Sequence, residues 1–549
     1  MAERMTGACL SMKYLHLLTC AAATALLAAT PTMAAATDLT AVNRIMDMGL
    51  NHSQVVATEA YLADQIGGRM TNSPAMRKAE AWTSDQFRAW GLSQVRKEGF
   101  AFGRGWWIDA AHVRMTSPRP VELASIPVAW TPATAGPLTA SVIVAPMRSE
   151  RDFAQWKGKL AGKIVLVSWP APPKDDTTAP FARLTDADIA KLDHIQLPHL
   201  DPKRDADLVK YFTFGARLDA FLASEGAVAW ARMSRTEGRR VHGEGYSYQA
   251  GATPKLPGVE LGAEDYRRLA RLARIGDVKL EIDSRVRFDD TDLNAYNVLA
   301  DIPGKDAKAG YVMAGAHLDS WVAGDGASDN GAGSAVVMEA ARILAALGVK
   351  PRRSIRFVLW AGEEQGLLGS AAYVEQHVAT RPKPADPEIA KLGPYFGGNQ
   401  FPVTFKPEAA QLAAYFNIDN GSGKVRGVYA EGNVAAAPIL REWLAPLSGL
   451  GAGAVVTSPT GSTDHVFFND LGLPAFQFIQ DPLDYESRVH HTDIDTFDHA
   501  RPDDLRQAAV VLATLLLDAA DAEAPMPRKP PPTKPQPDDP TATPEPDWR

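Results

Sequence analysis

Histidine and carboxylate residues recur where apolar runs end, between positions 311 and 491. His317 and Asp319 follow the run Tyr311 to Ala316, and Asp329 sits in the glycine-rich stretch Gly324 to Gly333. Glu363 and Glu364 follow Ser354 to Trp360, Asp419 follows Leu412 to Ile418, and His490 and His491 lie beyond Pro474 to Ile479. Imidazole and carboxylate are the usual nitrogen and oxygen ligands of zinc, and a catalytic zinc leaves one position open for water. Two histidines and three carboxylates exceed the needs of one such ion but suit two, with one carboxylate bridging. A pair of metals about 3.5 to 4 Å apart activates a water and holds both oxygens of a tetrahedral intermediate. A spare carboxylate beside them takes the water's proton and hands it to a leaving amine. Singly, His-x-Asp is a chance pattern, Glu-Glu a solvated pair and a glycine run a turn. Their order along the chain is what argues for a site.

The elements that must position these residues follow from periodicity. Val336, Ala340, Ile343, Leu344 and Leu347 are spaced by three and four residues, which predicts a half-buried helix between the strands Tyr311 to Ala316 and Ser354 to Trp360. Strand, helix and strand in that order make a crossover unit, and such units set strands parallel. In an open parallel sheet the functional loops gather at the carboxyl ends of the strands, so the residues above converge on one crevice. The expected fold class is α/β, with a mostly parallel or mixed central sheet and helices on both faces.

The stretches HLDSW (His317 to Trp321), GASDNGAG (Gly326 to Gly333), LWAGEEQGLLG (Leu359 to Gly369) and HHTDIDT (His490 to Thr496) resemble the co-catalytic zinc exopeptidases of the aminopeptidase and glutamate carboxypeptidase type. The resemblance covers nearly the whole chain after its first residues. It implies two zinc ions, one held by His317 and Asp419 and the other by Glu364 and His491, with Asp329 bridging. It also implies Glu363 as general base, Asp319 as the group that orients the His317 ring, and Asp495 as a further supporting carboxylate. The family usually has Tyr before the last metal histidine, where it stabilises an oxyanion; His490 stands there instead, with a charge expected to vary near neutral pH. The implied activity is hydrolysis of terminal peptide bonds in dipeptides or short peptides, of carboxypeptidase or dipeptidase type, with aminopeptidase as the alternative. A non-catalytic binding protein on the same fold is the remaining reading. A serine hydrolase is excluded by the absence of a Gly-x-Ser-x-Gly elbow. A phosphate-binding loop fails because Val425 follows Gly421-Ser422-Gly423-Lys424.

The 549 residues exceed one ordinary domain, and 46% hydrophobic with 22% charged is a globular composition. A net charge of -8 disfavours nucleic acid and anionic membrane partners; the expected partner is a small peptide substrate, and a homodimer is left open. Residues 1–36 read as a secretory signal: Lys13 precedes the apolar run Leu15 to Ala29, and small residues follow at Ala34 to Ala36. The expected location is therefore periplasmic or extracellular, with no stable membrane anchor after cleavage. Both cysteines, Cys9 and Cys20, fall inside that segment, so no disulfide is expected in the remainder.

Residues 38–115 read as the first part of the peptidase domain, with a helix ending near Ala89 or Trp90. Residues 116–285 change character and resemble an inserted, mostly β protease-associated domain, on LAGKIVLVSW and FLASEGAVAWA. In larger relatives that module walls the substrate cleft. His194 and His199 within it read as loop surface. Residues 286–524 read as the second part of the peptidase domain. There the proline-punctuated excursion from His377 to Glu408 is expected to rim the site's mouth. His465 is a candidate contact to a peptide terminus, with helix capping by Ser462 or Thr463 the competing explanation, and Arg488 a candidate carboxylate partner. Residues 525–549 hold ten prolines in 25 positions and read as a disordered or extended tail.

Overall fold

The computed structural model describes residues 37–174, 177–194, 204–245, 253–398 and 400–533. The proposed signal segment, His199 and residues 534–549 lie outside them. Among the described residues no helix is long and apolar enough to cross a membrane.

Four parallel strands form the middle of an eight-stranded sheet, in the spatial order Ser354–Trp360, Tyr311–His317, Leu412–Asn417 and Ala475–Gln480. Further strands extend it on both sides: Asn294–Ile302 and Ser93–Ala101 add by antiparallel pairing beyond the first, and Val425–Tyr429 pairs antiparallel to the last, with Ala454–Val456 parallel beside it. The middle strands are mostly apolar because both of their faces are buried. Val312, Ala314, Ala316, Ile355, Phe357 and Leu359 pack on one side. Tyr311, Met313, Val358 and Trp360 alternate onto the other, as a period of two requires. Helices Leu39–Asn51, Ala332–Ala346 and Pro502–Asp521 cover the first face, and Leu368–Tyr373 with Val466–Asn469 covers the second. The chain is thus α/β with a mixed sheet between helical layers.

One expectation about burial needs correction. The Ala332–Ala346 helix is not half-buried: every residue from Ala332 to Leu344 is buried. Its two charged positions, Glu339 and Arg342, would mark a solvent face, yet they form an ion pair at 2.7 Å beneath Ser53, whose hydroxyl donates to Glu339 at 2.8 Å. Pairing and hydrogen bonding remove the cost that otherwise keeps such groups exposed.

Strands from Gly105 to Asp289 build a second eight-stranded sheet. The long pair Gly105–Ser117 and Lys279–Asp289 is antiparallel, and Leu138–Val144, Lys163–Leu166, Ala229–Met233 and Gly258–Leu261 run parallel. Helices Arg204–Ser224 and Ala263–Leu272 accompany it, and apolar cores lie on both of its faces. It is richer in helix than a mostly β module. Residues 525–533, at the start of the proline-rich tail, are anchored rather than free. Met526 is buried with its N–H bonded to the Ala413 carbonyl, and Arg528 donates to the Ala409 and Leu412 carbonyls, each at 2.9 Å.

Candidate active site

The ends of the parallel strands are tied together before any functional side chain is considered. The Leu318 N–H donates to the Trp360 carbonyl at 2.7 Å, joining the two loops that follow those strands. Ser334 donates to the His317 carbonyl at 2.7 Å, and Asn330 donates to the Ile418 carbonyl at 3.0 Å. The glycine-rich run is the loop that presents Asp329, not a plain turn. Gly326 holds φ +62° and a Cβ there would lie 2.4 Å from Ser320, so a side chain is excluded on two grounds. Arg69, fully buried, donates to the carbonyls of Leu318, Asp325 and Gly326 at 2.7, 2.8 and 2.6 Å, and so pins the His317 and Asp329 loops to each other.

Two histidines define two half-sites. His317 Nε2 lies 3.2 Å from Asp329 Oδ1 and 3.2 Å from Asp419 Oδ1. His491 Nε2 lies 3.1 Å from Asp329 Oδ2 and 3.0 Å from Glu364 Oε2. Asp329 therefore turns one oxygen to each imidazole. Glu363 Oε2 stands 3.9 Å from His317 Nε2, outside both ligand pairs but beside them. The His490 ring overlaps that of His491 with centroids 3.9 Å apart, and its Nε2 is 3.5 Å from Asp329 Oδ2. All eight residues singled out by type and position meet here, and all but Asp319 line one cleft of about 2480 Å³.

The donor set fits metal ions. Ligand atoms about 2 Å from a tetrahedral zinc sit roughly 3.3 Å from one another, close to the 3.0 to 3.2 Å observed within each half-site. The ligand atoms of His317, Asp329 and Asp419 lie within 4.8 Å of one another, as do those of Asp329, His490 and His491. Glu364 Oε1 is buried with no hydrogen-bond partner among the described residues. Carboxylates outnumber imidazoles, and burial shows in their protonation. Burial pushes Glu364 up to about 7 and Asp464 up to about 8, and it raises Glu363 well above the ordinary range. Asp329 departs the other way: burial would raise it, but hydrogen bonds from His317 and His491 hold it well below. Such a crowd of buried negative groups calls for cationic charge.

Asp319 does something other than expected. His317 Nδ1 is 2.9 Å from the Asp319 backbone carbonyl and 3.8 Å from its carboxylate, so the carbonyl orients the ring. The buried carboxylate accepts the N–H groups of Glu363 and Glu364 at 3.3 and 3.4 Å, and the Thr71 hydroxyl at 2.8 Å. It fixes the backbone of the adjacent glutamates and does not touch the cleft. Asp495 holds Asp329 in the same manner, accepting the Ser328 and Asp329 N–H groups at 2.7 and 3.0 Å. Asp419 is set by a buried chain: Tyr415 donates to Asn417 at 2.6 Å, Asn417 to Gln477 at 3.1 Å, and Gln477 to the Asp419 carbonyl at 2.9 Å.

Other expectations are corrected. Burial and the charge of His491 push His490 down to about 3, below the near-neutral range expected of it. His465 is fully buried, with Nε2 3.2 Å from Glu431 and from Thr460, and does not reach the cleft. Neither Ser462 nor Thr463 caps the short helix that follows, whose N-cap position is His465 and makes no side-chain bond. Arg488 is exposed and outside the cleft lining. His194 lines the cleft, with Nδ1 2.7 Å from the Lys191 carbonyl. Two contributors lay beyond the sequence reading. Glu244 of the second sheet sits 2.6 Å from His491 Nδ1. Tyr485 packs its ring against His490 at a tilt of 45°, with centroids 4.7 Å apart, and lines the cleft. Glu244 has no local signal at all.

The chain is similar to known peptidases. Residues 297–516 match peptidase family M28. Carboxypeptidase Q of Rattus norvegicus is 29% identical over 284 residues, which are 51% of this chain and 53% of that protein. The match thus spans about half the length of the curated relative. A peptidase M28 precursor from Shewanella amazonensis has a similar structure, with a TM-score of 0.62 and 25% identity over 90% of this chain and 99% of that one. A zinc aminopeptidase from Bacillus subtilis shares the fold, with a TM-score of 0.53 and 20% identity over 85% of this chain and 95% of that one.

Proposed function

We propose, proceeding from the match of residues 297–516 to peptidase family M28, that this chain is an exported di-zinc exopeptidase. Its substrates are dipeptides or short peptides cut at a terminal bond, in the manner of carboxypeptidase Q. The observation that carries the reading is the Asp329 carboxylate, which turns one oxygen to the His317 and Asp419 pair and the other to the His491 and Glu364 pair. Zinc, when bound there, supplies Lewis acidity toward a peptide carbonyl and acidifies water to near neutral pH.

The chain's own residues supply the remainder. Glu363 is the carboxylate left outside the ligand pairs and facing the cleft, so it accepts a proton from the attacking water and returns it to the departing nitrogen. Asp319, through the two N–H groups it accepts, keeps Glu363 and Glu364 from exchanging places. His490, neutral and at the rim over Asp329, offers an N–H to the carbonyl oxygen that gains charge. Export rests on the N-terminal sequence pattern.

Zinc analysis of the purified protein together with a pair of blocked dipeptides and an unblocked one tests this reading. Two zinc ions per chain and cleavage of an N-blocked dipeptide with a free carboxylate support it. Cleavage restricted to C-blocked dipeptides with a free amine reverses the direction to aminopeptidase, cleavage of unblocked dipeptides alone narrows it to a dipeptidase, and failure of the zinc-loaded protein on all three removes the enzyme assignment.

A further inference from the structure

The two imidazoles of the site are oriented by different parts of the molecule. His317 is held from within its own loop, by the Asp319 carbonyl at 2.9 Å. His491 is held from the other sheet, by Glu244 Oε1 at 2.6 Å from its Nδ1. Glu244 follows the Ala229–Met233 strand and is itself clamped. Arg235 donates to both of its oxygens, at 2.7 and 2.8 Å, and Arg232 donates to its backbone carbonyl at 2.6 Å. The side chain is only 12% exposed. The loop that carries it is clasped to the loop that carries His491. Val241 N–H donates to the Asp493 carboxylate at 3.1 Å and Asp493 N–H donates to the Val241 carbonyl at 3.0 Å, while Arg240 donates to the carbonyls of Ser487 and Arg488 at 3.2 and 3.0 Å.

A carboxylate on Nδ1 fixes the tautomer and leaves Nε2 free, aimed at Asp329 and Glu364. His491 also sits at φ +59°, a left-handed conformation uncommon for a side-chain-bearing residue, so its backbone alone is a poor guarantor of ring placement.

We propose that Glu244 is a positioning residue of the site: the second sheet supplies the outer partner of His491, and the half-site of Glu364 and His491 is complete only while that sheet's loop is docked. The inference rests on the reading of His491 as a zinc ligand. It gives the second sheet a part in metal binding beyond walling a cleft, and it predicts that the two half-sites respond differently to one substitution.

The test is a zinc titration of the full-length, metal-stripped chain in competition with a chromophoric chelator, on wild type, Glu244→Ala and Glu244→Gln. Wild type takes up two zinc ions. Glu244→Ala should hold one at wild-type affinity and bind the other about 10- to 100-fold more weakly, the range that loss of an outer partner to a metal histidine costs. Glu244→Gln, whose amide oxygen still accepts from Nδ1, should recover most of the loss. Thermal unfolding of the metal-free proteins runs alongside, and a melting temperature shared by all three separates ring positioning from general damage. Two undisturbed zinc sites in Glu244→Ala, or equal weakening of both, would overturn the proposal. A wild-type chain that binds fewer than two zinc ions overturns the functional reading, and this proposal with it.

Discussion

Glu363 and Glu364 are neighbours in the chain with opposite assignments, and the geometry separates them. Glu364 lies 3.0 Å from one metal-type imidazole, while Glu363 stands 3.9 Å from the other and outside its ligand pair. Glu363→Gln is therefore expected to keep both zinc ions and to lose about 10²- to 10⁴-fold in turnover, the usual worth of a general base. Turnover near wild type in a fully metal-loaded Glu363→Gln protein would remove the residue from that role. Most residues that meet at the site were legible in sequence because ligand chemistry admits few side-chain types, and His317, Asp329, Glu364, Asp419 and His491 carry such groups at or beyond strand ends. What was not legible is which atom does the work. Asp319 orients His317 through its carbonyl, and sequence names the residue without distinguishing its oxygens. Glu244 is separated from His491 by most of a domain's length, and no motif surrounds it.

Elements buried on both faces were the easiest to read, since their apolar runs are bounded by the residues that do chemistry. The Ser354–Trp360 strand has the limits that its composition predicts. Burial of the Ala332–Ala346 helix was underestimated because Glu339 and Arg342 pair with each other beneath Ser53, a contact between residues far apart in the chain. Another distant contact makes a pH-sensitive staple. His377, at the end of the helical turns that follow Leu368–Tyr373, places Nδ1 3.1 Å from Glu408 and Nε2 2.9 Å from Glu98. Arg356 and Arg96 pair with the same two carboxylates. Hydrogen bonds to Glu408 and Glu98 push His377 up to about 9. Its folded value is raised, so its contribution is fully present below about pH 6.5 and is lost as pH rises through about 9. The side chain is a quarter exposed, and the contribution is on the order of 2 kcal/mol after allowance for solvent screening. Urea unfolding midpoints should fall between pH 6.5 and 9 in wild type and fall less in His377→Gln; parallel profiles for the two proteins would contradict the assignment.

At the scale of the whole molecule, the site lies in a cleft between two sheets, and the excursion from His377 to Glu408 closes one end. Leu392, Gly393, Tyr395 and Phe396 line that end. Phe396 packs on Phe212 of the second sheet's long helix at 4.4 Å, and Tyr395 lies 3.2 Å from Ser462. Replacing residues 386–398 with a short flexible linker should therefore leave dipeptide turnover close to wild type and admit longer peptides. Unchanged exclusion of long peptides would show that another wall sets the limit. The proline spacing announced this loop, but its contact to Phe212 required the second sheet to be in place. The Asp329 carboxylate is expected to bridge two metal ions. A zinc-edge anomalous difference map from zinc-loaded crystals tests it most directly. The expected result is two peaks about 3.5 to 4 Å apart, one between His317 and Asp419 and one between His491 and Glu364, with Asp329 reaching both. A single peak, or two peaks that Asp329 does not join, would contradict it.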